Sequence, residues 1–167
     1  MSEEGLKFDG VDDNVTPIPF DTTVTDDYTA YIDFTLTDNL PDNSTTTPFF
    51  WADQNVFILS IYNKSHTLTY YVGNLDGTTG YLYSSKKLQP VNRYKIIAVR
   101  EGLIFKIYVD GVKIVEKTFN ATTRQEVGRL YILSSPGVTQ LHPSKLHKVA
   151  LYNRALTDTE IQQLMEV

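Results

Sequence analysis

The chain has no cysteine, one tryptophan and two methionines among its 167 residues. Without cysteine it can form no disulfide, and its stability must come from a packed core. No stretch approaches the roughly 20 consecutive apolar residues that a membrane-spanning helix needs. The opening "MSEEGLKF" is acidic and polar, without the basic start and apolar run of a secretory signal. Basic clusters are missing too: the net charge is −5, which argues against nucleic acid or an anionic membrane as the main partner. Four Asn-x-Ser/Thr sequons, at Asn14, Asn43, Asn63 and Asn120, are read as chance occurrences in a Thr-rich chain.

Strand-forming residues are abundant instead. Hydrophobic residues make up 41%, charged residues only 21%, and there are 11 tyrosines and 8 phenylalanines. Such a mix suits a pleated surface, and the length suits one domain over 1–167. In "DYTAYIDFTLT" the residues Tyr28, Ala30, Ile32, Phe34 and Leu36 alternate with Thr29, Tyr31, Asp33 and Thr35, the period of a strand. "FFWA" and "VFILSIY" read as strands buried on both faces or nearly so, with Trp51 in the core. Asp110-Gly111 between "LIFKIYV" and "VKIVEK" predicts a tight hairpin, because both turn residues must reach positive φ. Ten or eleven short strands are expected, with one helix at the end. Thr157 and Glu160 there have the spacing of a capping box, and Ile161, Leu164 and Met165 form one apolar stripe. A helix so short is marginal alone and must dock on something. The predicted class is all-β: an antiparallel sandwich with a short C-terminal helix.

Four stretches, "LKFDGVDDNV", "RYKIIAVREG", "FKIYVDGVKI" and "KVALYNRALTDTEIQQL", together resemble the laminin-G-like, concanavalin A-like jelly-roll superfamily, in that family's order and from end to end. The resemblance implies a jelly-roll sandwich whose last strand returns beside the first. It also implies a terminal helix packed across the end of the sandwich, with Ile161 and Leu164 buried. It does not fix a chemistry, since the superfamily includes lectins, adhesion modules, glycosidases and virion proteins.

Catalysis by a glycosidase of this architecture would need two carboxylates flanking the scissile bond. No two glutamates fall on one predicted strand at a spacing that would share a face, so no catalytic residue is assigned. Asp9, Asp12 and Asp13 gather in one turn with Asn14, as calcium ligands do. At the start of the closing strand, however, where the resemblance leads one to look for a completing acid, stand His147 and Lys148. We therefore read the acidic turn as solvated turn-formers and expect no cofactor, with calcium as the alternative.

Tyr70, Tyr71, Tyr81 and Tyr83 flank "GNLDGTTG", half of them expected to face the core. The rest offer stacking rings beside hydrogen-bonding side chains, so a glycan site is expected near Tyr71, Asn74, Asp76 and Tyr81. The functional expectation is a non-enzymatic recognition or structural module at a phage virion surface, as a capsid decoration or fibre component, with glycans and other virion proteins as partners. The Met start, the polar N-terminus and the absence of cysteine lead to that setting. A carbohydrate-binding module cut from a larger secreted chain is the alternative.

Overall fold

The computed structural model describes residues 6–8, 18–21, 27–38, 46–52, 57–62, 65–73, 79–119, 127–133 and 144–166. Twelve strands and one helix lie among them. In chain order the strands are β1 (Leu6–Phe8), β2 (Ile18–Asp21), β3 (Tyr28–Leu36), β4 (Thr46–Ala52), β5 (Phe57–Tyr62) and β6 (Thr67–Gly73), then β7 (Thr79–Lys87), β8 (Arg93–Glu101), β9 (Ile104–Val109), β10 (Val112–Thr118), β11 (Val127–Ile132) and β12 (Ser144–Tyr152). The helix α1 spans Asp158–Met165. They build two six-stranded antiparallel sheets. Sheet A has the order β1-β12-β3-β8-β9-β10, and sheet B the order β2-β11-β4-β5-β6-β7. The closing strand β12 lies between β1 and β3, as the resemblance implied.

One strand went unforeseen. β2 contains Pro19, and a proline counts against a strand in sequence. It is tolerated here because, among the described residues, β2 is the edge of sheet B and pairs only with β11. At the Asp110-Gly111 turn, φ is 52° at Asp110 and 77° at Gly111, as the hairpin requires.

The core lies between the sheets. Ala30, Ile32, Phe34 and Leu36 of β3 face Phe49, Phe50, Leu59, Ile61, Leu68 and Tyr70 of sheet B. Phe34 and Phe49 meet with ring centroids 4.7 Å apart. Both Phe49 and Phe50 are buried because the register of β4 against β5 shifts between Pro48 and Phe50. A bulge of this kind breaks the strict alternation of faces. The hydroxyls of Tyr28 and Tyr70 hydrogen-bond to each other across the core, and burial pushes both far above the usual phenol range.

A second hydrophobic cluster lies on the outer face of sheet A. Tyr31, Ile97, Val99 and Tyr108 are covered there by Leu156 and Ile161, with Leu164 and Met165 partly buried beside them. The helix thus seals a sheet face and does not lie across the end of the sandwich. Ile161 is fully buried as expected, whereas Leu164 is only half-buried. Polar ties fix its position. The Tyr108 hydroxyl donates to Asp158 Oδ1 (2.6 Å), Lys95 Nζ to the Met165 carbonyl (2.8 Å) and Gln162 Nε2 to the Gly111 carbonyl (2.7 Å).

The capping box is present. Thr157 N–H donates to Glu160 Oε2 (2.9 Å), and the Glu160 N–H returns a bond to Thr157 Oγ1 (3.3 Å). Arg154 adds two bonds to the same carboxylate, 2.8 and 2.6 Å. Arg154 first, and the Thr157 backbone second, lower the Glu160 pKa from its ordinary 4.5 to about 2. A carboxylate depressed in the folded state stabilises fully above its ordinary pKa and loses that contribution as pH falls through the folded value. Melting temperatures measured from pH ~5 down to ~2 should therefore fall less steeply in Glu160→Gln than in the parent. Parallel curves would remove Glu160 from the acid response.

Candidate functional site

The outer face of sheet B has no helix over it among the described residues. It carries a cleft of about 630 Å³ lined by Thr46, Ile58, Ser60, Tyr62, Thr69, Tyr71, Tyr81 and Tyr83. These residues come from four adjacent strands and share one face by alternation, since the residues between them, Leu59, Ile61, Tyr70 and Leu82, are buried in the core. The register sets them in rows. Ile58, Tyr71 and Tyr81 are neighbours across β5, β6 and β7, and Ser60, Thr69 and Tyr83 form the next row. Thr46 and Tyr62 pair beyond them.

The floor is polar but neutral. Ser60 and Thr69 are buried, and their hydroxyls lie 2.7 Å apart in a mutual hydrogen bond. The rim is aromatic. The Tyr71 and Tyr81 rings meet edge to face at 5.0 Å, and Tyr81 and Tyr83 stack at 5.7 Å with 13° between their planes. Tyr81 is 42% exposed and Tyr83 65%, so both present ring surface to solvent. Tyr71 is half-buried, and desolvation, then the neighbouring Tyr81, raises its pKa. It is a neutral phenol at physiological pH. Such a cleft, mostly apolar with a few convergent polar groups, has the size and composition of small-ligand sites.

Two of the four glycan-site residues expected from sequence, Tyr71 and Tyr81, are brought together here. Asn74 and Asp76 lie outside the described residues, as do Asp9, Asp12 and Asp13 of the acidic turn and the side chain of Trp51. Tyr70 turns inward, as alternation required of half the cluster. Sequence reasoning missed Thr46, Ile58, Ser60, Tyr62 and Thr69. The available signal was Ser60, a polar residue inside "VFILSIY", which marks the one face of that strand not given wholly to the core.

On the opposite sheet, Asp33 is 2% exposed and holds Arg93 through two bonds of 2.8 and 2.7 Å. His147, at the register shift in β12, has its Nε2 2.8 Å from Thr35 Oγ1. Its burial first, and Arg93 second, lower its pKa.

Residues 9–162 match the family model of the concanavalin A-like lectin/glucanases superfamily. The chain belongs to that superfamily. No curated protein matches it. Among solved structures it is similar to the CBM40 of the Ruminococcus gnavus IT-sialidase bound to α2,3-sialyllactose. The TM-score is 0.72 at 12% identity, with 97% of this chain and 96% of that one covered. It is also similar to a sialidase of Trypanosoma rangeli, with a TM-score of 0.71 at 21% identity. There it covers 97% of itself but spans only 27% of the sialidase chain. At these identities the likeness is one of fold.

Proposed function

We propose that this superfamily member is a non-enzymatic glycan-recognition module and that the tyrosine-lined cleft of sheet B is its binding site. The observation that carries the reading is the convergence of the Tyr71, Tyr81 and Tyr83 rings over the Ser60–Thr69 hydroxyl pair. A pyranose has an apolar face for such rings to cover and hydroxyls for such a floor to meet. Among the described residues the lining holds no carboxylate, and Asp76 at the rim would supply one where glycoside hydrolysis needs two, which supports binding. Asn74 and Asp76, in the loop after β6, are proposed to add hydrogen bonds at its rim.

A glycan array with the parent and Tyr71→Ala/Tyr81→Ala tests the reading. The parent should bind, and the double variant should lose at least about tenfold in affinity, about 1.4 kcal/mol, while keeping its fold. Asn74→Ala/Asp76→Ala should weaken binding with stability within about 0.5 kcal/mol of the parent. A blank array for the folded parent overturns the proposal.

The domain-length match inside the sialidase chain supports a setting within a larger protein. A phage virion surface is the second setting we propose, on composition alone, and mass spectrometry of purified particles from a phage that encodes the chain would decide it.

A further inference from the structure

We infer that the cleft selects uncharged sugars and rejects carboxylated ones such as sialic or uronic acids; this rests on the glycan reading of the same site. Among the described residues all eight lining side chains are neutral: three tyrosines at the rim, Tyr62 and Thr46 beyond, Ile58, and the Ser60–Thr69 floor. The floor hydroxyls are already engaged with each other at 2.7 Å, so a ligand oxygen joins a neutral hydrogen-bond pair and meets no cation among the described lining residues. A carboxylate brought there would give up hydration without an opposing charge. The group that matches it is a guanidinium, which grips both oxygens at once.

Among the described residues, Lys117 and Lys87 stand by the cleft's strands but outside its lining. Lys117 Nζ is 3.3 Å from the Tyr81 carbonyl and 4.8 Å from the centre of the Phe119 ring, at the edge where β10 meets β7. Lys87 pairs in register with Thr67, outside the lining residues. The chain's net charge of −5 adds a general bias against anions.

Matched pairs of glycans decide the question: each neutral oligosaccharide on the array beside the same chain capped with sialic acid or oxidised to a uronic acid. Affinity for the best pair is then measured by calorimetry from about 0.05 to 0.5 M NaCl, a range over which an ion pair would be strongly screened. The expected result is binding of the neutral member, at least tenfold weakening by the carboxylate at the terminal position, and no salt dependence. Binding confined to carboxylated members, with affinity falling as salt rises, overturns the inference and leaves the glycan reading in place; loss of that binding in Lys87→Ala or Lys117→Ala would then identify the cation. A blank array for the folded protein overturns both.

Discussion

Arg93→Ala destabilises the domain by about 3–5 kcal/mol, whereas Asp33→Ala costs on the order of 1 kcal/mol. The asymmetry follows from exposure. Asp33 is 2% exposed and Arg93 55%. Removing the arginine leaves a carboxylate buried on the outer face of sheet A, stripped of both guanidinium bonds. Removing the aspartate leaves a guanidinium that water already reaches. Lys95 and Lys148 stand opposite Asp33 in the register of β8 and β12, which places the arginine loss toward the lower end of that range. Arg93→Lys restores the charge but not the two-pronged grip, so it should recover only part of the loss. Urea unfolding of the three variants checks this, and equal losses for Arg93→Ala and Asp33→Ala would refute the argument from exposure.

Ile161→Ala should lower stability by about 2–5 kcal/mol, the range for truncating a buried aliphatic side chain. Ile161 is fully buried, and it is the residue through which α1 closes over Tyr31, Ile97, Val99 and Tyr108. Leu164→Ala should cost clearly less, because Leu164 keeps part of its surface in water. Thermal melts of the two variants separate these cases. A loss for Leu164→Ala as large as that for Ile161→Ala would mean that the two residues share the seal equally.

The fold was legible because its signals are local. Alternation in "DYTAYIDFTLT" assigned both faces of β3, and Asp110-Gly111 and the Thr157–Glu160 box marked a turn and a helix start. What alternation cannot say is what covers each face. Tyr31 and Asp33 fell on the face opposite the core of the sandwich, and both are buried, one beneath the helix and the other beside Arg93. The helix was legible as an element but not in its docking place, since a short apolar stripe fits a face as well as an end. The cleft was half legible. The tyrosines of β6 and β7 advertised themselves by composition, but their partners on β4 and β5 are ordinary residues. Thr46, Ile58 and Ser60 become a site only through strand pairing, and pairing depends on registers and bulges that no single segment encodes.

The strand orders bear on how the chain reaches this state. Strands β5 to β7 and β8 to β10 pair with their sequence neighbours and can assemble as local meanders. The seams β12-β3 and β11-β4 instead join positions more than about a hundred and about eighty residues apart, respectively, and loop-closure entropy opposes such distant pairings until late. During synthesis from the N-terminus, β3 and β4 therefore wait with open edges until β11 and β12 have left the ribosome. A nascent chain stalled before Ser144 should be readily cleaved by protease within β3, and one extended past α1 should resist. The same wait makes the N-terminal third the segment most in need of a chaperone, although in the finished domain it supplies the middle of the core.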